Sequence, residues 1–165
     1  IPTSGEVGRR SLEERVRSVA TRAMWDAVKA EVASGKYYTL FSALGELQRA
    51  MTALVVHSER ACEELNDRFD AKWIEQQANA GCLSTQQVHG LVNYLTERIS
   101  SWQAPVDDRD TQEWAAATER MLAATVAMEL PSFISAYLVD FLAGAMERLG
   151  RVVQRVIALS DRPTD

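Results

Sequence analysis

Residues 73–108 read WIEQQANAGCLSTQQVHGLVNYLTERISSWQAPVDD, and this stretch decides the fold class. Gly81 predicts the end of one helix, because glycine readily adopts the left-handed conformation that follows a helix. Ser84 and Gln87 form a capping box, in which each side chain binds a backbone N–H of the other residue. Pro105 ends the helix that starts there, since proline lacks the N–H that a helix interior needs. The stretch therefore predicts that one helix ends at Gly81, that the next is capped by Ser84, and that this second helix ends at Pro105.

The same kinds of signal predict a long helix at the start of the chain. Ser11 and Glu14 form a second capping box, so we expect the first helix to begin at Ser11. It ends near Gly35. Apolar residues recur at helical spacing and predict its buried face: Leu12, Val16, Val19, Ala23, Ala27 and Val28.

Later segments carry their own start signals. Asp70 predicts the cap of a short polar helix that stops at Gly81, and Asp110 with Glu113 predicts a further cap after the proline break. Pro131 occupies the first turn of the last helix. That helix is apolar on most sides, as expected of a central helix with several neighbours: Phe133, Ile134, Tyr137, Leu138, Phe141 and Leu142.

These signals together predict an all-α protein of about seven helices joined by short loops. The helices form either an up-and-down bundle or an α-solenoid-like array similar to tetratricopeptide repeats. No 34-residue period repeats in the sequence, so a true repeat array is not supported. We expect residues 11–160 to form a single helical domain, flanked by a flexible tail over 1–10 and a second tail over 161–165.

Charge is unevenly distributed over the 165 residues, whose net charge is −5. Residues 1–22 hold five arginines and three glutamates, and residues 146–165 hold four arginines and three acidic residues. The segment 23–145 holds nine basic and seventeen acidic residues, a net charge of −8. Because an acidic body repels phosphates, we expect no nucleic-acid partner. The two cysteines, Cys62 and Cys82, make no disulfide framework, which favours a reducing compartment.

Catalytic and metal-binding motifs do not stand out. The residues three before His57 and His89 are Leu54 and Gln86, so the Glu-x-x-His pairs of di-iron bundles are missing. The other candidate is an acidic run, Glu63, Glu64, Asp67 and Asp70, which reads as a solvated face. We therefore expect no catalytic residue, no metal site and no cofactor, and we predict that the protein is not an enzyme.

Aromatic and arginine side chains supply the candidate partner-binding residues. Trp73 stands among charged neighbours on a short polar helix, so we expect it to be partly exposed, and tryptophan is enriched in binding hot spots. Tyr37 and Tyr38 follow Gly35 and form the second candidate. Arg151 and Arg155 edge the last helix, whose excess apolar surface predicts a homodimer that Val153→Asp would weaken.

Four short patterns occur in an order that resembles the T-complex protein 11 family. The patterns are Met24-Trp25-Asp26, Leu44-Gly45-Glu46-Leu47, the run from Ile74 to Gly81, and Ala104-Pro105 with Asp108. Together they span roughly residues 16–142. Asp107 departs from the arginine that is usual in the family, and Pro131-Ser132 replaces a polar stretch.

The resemblance implies a protein-interaction module, an adaptor or scaffold, rather than an enzyme. The short length is similar to that of a kinetoplastid all-helical, membrane-anchored mitochondrial protein. That likeness implies an N-terminal anchor outside this chain, partners in the mitochondrial inner membrane, and a role in organelle segregation and cell division. Larger family members imply regulation of cyclic-nucleotide and kinase signalling, in which case the protein would be cytoplasmic. A small-ligand pocket or an enzyme inside the bundle is a third alternative.

Overall fold

A computed structural model of the chain describes residues 4–161, without the side chains of residues 4, 6, 7, 9–11, 13, 14 and 18. None of residues 4–161 forms a strand, so the all-α prediction is confirmed. The helices are α1 (Ser4–Ala33), α2 (Tyr38–Leu54), α3 (Glu59–Arg68), α4 (Ala71–Asn79), α5 (Thr85–Trp102) and α6 (Asp108–Ala124). Helix α7 is continuous over three segments: Leu130–Phe133, a π-helical turn at Ile134–Leu138, and Val139–Ser160.

Helix α7 lies at the centre of the domain. It packs against α1, α2 and α5, while α5 also packs against α6 and α2 against α4. In a solenoid each unit contacts only its neighbours along the chain. Because α1 and α2 reach across the sequence to α7, the arrangement is a bundle around one central helix. This packing explains why α7 is apolar on most sides, since its neighbours cover different faces of the helix.

The core consists of apolar side chains that are buried between these helices. Its largest fully buried members are Phe69, Phe133, Leu40, Leu44, Leu47, Met51, Leu95, Ile99 and Leu142. Burying a side chain of this size contributes about 1.5–3 kcal/mol relative to leaving it in water. The core therefore draws on α2, α5 and α7 together, and no single helix can bury its apolar face alone.

Local signals fix several helix ends as predicted. The Ser84 hydroxyl accepts the Gln87 N–H at 3.1 Å, and the Gln87 side chain accepts the Ser84 N–H at 2.9 Å, which completes the predicted capping box. Gly35 has φ +82 and Gly81 has φ +71. At Gly35 the Lys36 N–H donates to the Glu31 carbonyl at 2.9 Å, so this helix end closes with the bond pattern expected after a left-handed residue.

Two predicted helix starts are wrong. Helix α1 begins at Ser4, so residues 4–10 are its first turns and Ser11 lies inside the helix. The glycines in this segment, Gly5 and Gly8, each cost about 1 kcal/mol of helix propensity but do not break the helix. The side chains of the Ser11–Glu14 capping box lie outside the described residues, as do residues 1–3 and 162–165 of the predicted tails.

The second wrong start is the cap at Asp110. A 3₁₀ turn at Pro105–Asp107 leads directly into α6, which begins at Asp108 without a side-chain cap. Asp110 therefore lies in the first turn of α6, where its carboxylate binds Arg148 and Arg151 of α7 instead of the backbone. The spacing of Asp110 and Glu113 resembles that of a capping box, but the residues that bind Asp110 lie on α7.

Candidate partner-binding site

Hydrogen bonds at both ends of α4 fix this helix in an orientation that points Trp73 towards solvent. The Asp70 carboxylate accepts the Trp73 N–H at 3.1 Å and caps the helix. At the other end the backbone N–H of Cys82 donates to the Gln77 carbonyl at 2.8 Å, across the left-handed Gly81. Ile74, the next residue, is buried in the core, so Trp73 faces away from it and is 44% exposed. The prediction that Trp73 is partly exposed is confirmed.

Trp73 lies at the edge of an open groove of 530 Å³ between α3, α4 and α5, which we call the Trp73 groove. Its apolar lining comes from Ile74, Leu83, Val88 and Leu91. Gly90 also lines the groove, and a side chain added there would meet nothing within 4 Å. The complete lining is Asn66, Asp67, Arg68, Asp70, Trp73, Ile74, Leu83, Gln87, Val88, Gly90 and Leu91.

The rim of the Trp73 groove is acidic. Asp67 and Asp70 line it, and the exposed carboxylates of Glu59, Glu63 and Glu64 belong to the same helix as Asp67. Arg68, the basic residue of the lining, lies over the ring of Tyr94 at 5.2 Å. Burial raises the pKa of Tyr94, and the nearby charge of Glu64 adds to this rise. The predicted acidic run is thus exposed, and two of its residues, Asp67 and Asp70, line the groove.

Tyr37 and Tyr38 lie at the start of α2 and do not line the Trp73 groove. Tyr37 is half-buried, with its ring 6.2 Å from that of Phe41, whereas Tyr38 is 82% exposed. Tyr38 lines a separate groove of 530 Å³ between α2 and α4. The Gln48 side chain on α2 accepts the Ala71 N–H of α4 at 2.9 Å, and this hydrogen bond holds the two walls of that groove together. This groove and the Trp73 groove share no lining residue.

Arg151 and Arg155 are engaged within the domain. Arg151 binds Asp110 at 3.2 Å and Glu147 at 3.0 Å. Burial opposes the charge of Arg151, but these two carboxylates outweigh it and raise its pKa. Arg155 donates to the Trp102 carbonyl at 3.1 Å. The structure therefore places the five candidate residues in three separate regions, with the arginines joining α7 to α6 and to the end of α5.

A groove that the sequence did not predict runs between α1 and α7, and we call it the α1–α7 groove. Its volume is about 810 Å³. Lys29 and Asp140 pair across it at 2.7 Å, and the lining spans residues 17–29 and 140–150. A hydrogen bond from Lys29 to Asp140 raises the pKa of Lys29, and the charge of Asp26 adds to this.

Beyond this groove the apolar stripe of α1 is exposed, which corrects the prediction that it is buried. Leu12, Val16 and Val19 are 60%, 61% and 64% exposed, whereas Trp25, Val28 and Val32 are buried. The predicted stripe also includes Ala23 and Ala27, which are exposed, so this whole face of α1 points to solvent. Trp25, Val28 and Val32 recur at i, i+3 and i+7 on the opposite face, which is the one that packs on the bundle.

The remaining polar clusters show no assembled reaction site in the described residues. Within 4–161 no three His, Cys, Asp or Glu side chains come together in a way that could hold a metal ion. Each helix within residues 4–161 is too short or too polar to span a lipid bilayer. His57 is exposed in the turn before α3, and His89 is 3.0 Å from the Thr125 hydroxyl. The prediction that the protein is not an enzyme stays a prediction.

Comparison with known proteins gives the family. No curated protein and no solved structure matches the chain. Residues 3–151 match the family described as T-complex protein 11, which agrees with the resemblance found in the sequence patterns. Since this match covers most of the chain, the protein belongs to the T-complex protein 11 family.

Proposed function

We propose that this domain is a non-enzymatic adaptor that binds a segment of a partner protein in the Trp73 groove. The observation that carries the proposal is the exposure of Trp73 beside an apolar groove, on a helix whose two ends are both fixed. A large aromatic side chain in water is unfavourable, and rigid aromatic anchors are typical of binding hot spots. The groove is open along its length, which suits a helix or an extended segment.

The rim determines the chemistry of the partner. Asp67 and Asp70 line the groove, Glu63 and Glu64 lie close by on α3, and Arg68 is engaged with Tyr94. Opposite charges across an interface speed association and reject wrong partners. We therefore propose that the bound segment is basic, with apolar residues facing Trp73 and lysine or arginine facing the carboxylates. Its binding should weaken as salt is added, because these carboxylates are exposed.

The cellular setting is also a proposal, and it rests on family resemblance. We propose that the adaptor acts at the mitochondrial inner membrane, held there by an anchor outside this chain, in organelle segregation and cell division. Regulation of cyclic-nucleotide and kinase signalling is the alternative that larger relatives imply. The two settings differ in which proteins bind to the domain, so one experiment separates them.

The experiment is affinity purification of the full-length protein from its native cell, with mass spectrometry of the bound proteins. Trp73→Ala should lower recovery of the direct partner on the order of tenfold or more, as loss of a hot-spot aromatic does. The matched control is Tyr137→Ala, since Tyr137 is a partly exposed aromatic outside the Trp73 groove. Thermal unfolding should be nearly unchanged by Trp73→Ala, because the side chain is not part of the core.

Each outcome has a distinct meaning. Inner-membrane proteins that bind the wild type but not Trp73→Ala support the mitochondrial adaptor. Kinase subunits with the same dependence on Trp73 support the groove and move the function to signalling. If Trp73→Ala recovers the same proteins in the same amounts as the wild type, the Trp73 groove is not the partner site.

A further inference from the structure

We infer that the ring of Tyr94 is a cation site, which Arg68 occupies in this structure and which a lysine or arginine side chain of the bound segment takes over. The inference deepens the proposed function and rests on it, because the site adjoins the Trp73 groove. Arg68 is then a displaceable cover, and Tyr94 selects a positively charged side chain at that end of the groove.

Tyr94 lies one helical turn beyond the Trp73 groove. Gly90 and Leu91 line the groove, and Tyr94 follows them by four and three residues on α5, so it shares their face of the helix. Tyr94 itself is not part of the lining, whereas Arg68 is. The guanidinium carbon of Arg68 lies over the Tyr94 ring, 5.2 Å from its centroid. Arg68 therefore separates the groove from the ring.

The ring is fixed, whereas its cover is weakly held. Tyr94 is 4% exposed and belongs to the core, so its ring stays in place when Arg68 moves. Arg68 is exposed at the last residue of α3. Within residues 4–161 the ion pairs at 4 Å or less do not include Arg68. An exposed contact between a cation and a ring is weak, so another cation displaces Arg68 at small cost.

The approach to the ring from the groove is open. Gly90, one turn before Tyr94, is exposed, and a side chain added there would meet nothing within 4 Å. A side chain of the bound segment therefore has room to pass over Gly90 and reach the ring once Arg68 has moved. The negative face of an aromatic ring attracts guanidinium and ammonium groups, and a neutral side chain lacks this attraction. The site thus favours a basic residue in the segment that contacts Trp73.

The charges around the ring also favour a cation. Burial raises the pKa of Tyr94, and the charge of Glu64 raises it further, so this carboxylate acts on the ring. Arg98 and Arg68 act in the opposite direction. Asp67 lines the adjoining groove. When Arg68 moves away, the carboxylates of Glu64 and Asp67 remain against the single charge of Arg98, and an incoming cation restores the balance.

The test measures binding of a tetra-arginine peptide to the full chain by calorimetry, while the NMR signals of the Tyr94 ring locate the bound peptide. We expect Arg68→Ala to bind the peptide about tenfold more tightly than the wild type, because the ring is then uncovered. Arg98→Ala is the matched control, since it removes the same charge near Tyr94 but leaves Arg68 over the ring. Tetracitrulline, an uncharged peptide of the same shape, should not shift the Tyr94 signals.

Further variants of Arg68→Ala test the ring itself. Tyr94→Leu should remove the gain in affinity and Tyr94→Phe should keep it, because the ring and not the hydroxyl attracts the cation. Circular dichroism checks the fold, and if Tyr94→Leu does not fold, the comparison of Arg68→Ala with Arg98→Ala decides.

Three results would overturn the inference. They are equal affinity in Arg68→Ala and the wild type, an equal gain in Arg98→Ala, and a gain that survives Tyr94→Leu. Trp73→Ala should leave the gain in place, because Trp73 does not cover the ring. Failure of this test is therefore distinct from failure of the proposed function, which is measured by the partners that Trp73→Ala recovers.

Discussion

At the scale of single residues, buried polar groups are placed where helices can satisfy them. Thr125 is buried, and its hydroxyl donates to the Met121 carbonyl at 2.8 Å. In the tautomer that carries its proton on Nε2, the His89 imidazole donates to Thr125 Oγ1 across the 3.0 Å that separate the two atoms, and the hydroxyl proton stays with Met121. The same imidazole packs edge-on against Phe133, with ring centroids 4.7 Å apart. His89 thus links α5, the end of α6 and α7.

This environment makes stability depend on pH. Partial burial lowers the pKa of His89 below its ordinary value of 6.5, because the charged ring is poorly solvated. The unfolded chain therefore binds a proton more readily than the folded one. The stabilisation is complete above pH 6.5 and is lost as pH falls through that value towards the folded pKa.

We expect the free energy of unfolding, measured with urea, to fall between pH 7.5 and pH 5.5. His89→Gln should flatten this dependence, whereas His57→Gln should not, because His57 is exposed in a turn. An equal slope in the wild type and in His89→Gln would show that another group governs the change.

At the scale of helices, Asp110 joins α6 to α7. Its carboxylate accepts from Arg148 and from Arg151, each at 3.2 Å. Arg148 is only 13% exposed, and its guanidinium lies over the Trp114 ring at 4.6 Å. A mostly buried cation needs a counter-charge, because burial removes the water that would otherwise solvate its charge. The pair therefore contributes more than a surface ion pair does.

Asp110→Ala should lower the free energy of unfolding by about 1.5–3 kcal/mol, in the range of hydrogen bonds to charged groups. Glu113→Ala is the matched control on the same helix, since its partner Arg109 is fully in solvent and such pairs contribute about 0.5 kcal/mol or less. Urea denaturation of both variants measures the difference. Equal losses in the two variants would mean that the buried cation finds another partner.

The helix signals that the sequence predicted correctly are the local ones. Asp70, Ser84 and Gly81 find their bonding partners within five residues, so a short window contains the whole interaction. Asp110 binds Arg148, 38 residues away, and the sequence does not encode that approach in any short pattern. Exposure of Trp73 was predictable from its polar neighbours, whereas the Trp73 groove needs α3 and α5 to be placed in space.

At the scale of the whole molecule, α1 has two halves with different roles. Trp25 and Val28 are 7% and 1% exposed and anchor α1 to the bundle, whereas Leu12 and Val16 lie in solvent. The α1–α7 groove was missed because the apolar pattern pointed to the wrong face of α1: the exposed residues recur at helical spacing as regularly as the buried Trp25, Val28 and Val32 do. The central position of α7 was predictable, because a helix that is apolar on most sides is buried when other helices surround it.

A chain that begins at residue 22 should therefore keep its fold, with a melting temperature within a few degrees of the parent, because it loses mainly exposed side chains. A chain that begins at residue 30 should lose at least about 4 kcal/mol, since removal of buried tryptophan and valine costs that much. Such a loss approaches the whole stability of a typical domain. Differential scanning calorimetry of the two chains decides the point, and similar melting temperatures would show that α1 is dispensable.

The central position of α7 also has a consequence for synthesis. The ribosome makes α1, α2 and α5 before α7, yet each of them packs against it. While α7 is still unmade, the apolar faces of the earlier helices have no common partner and stay open to water. Contacts such as Lys29 with Asp140 join residues more than a hundred positions apart, and distant contacts close slowly. We therefore expect chaperones to bind the nascent chain until its central helix emerges.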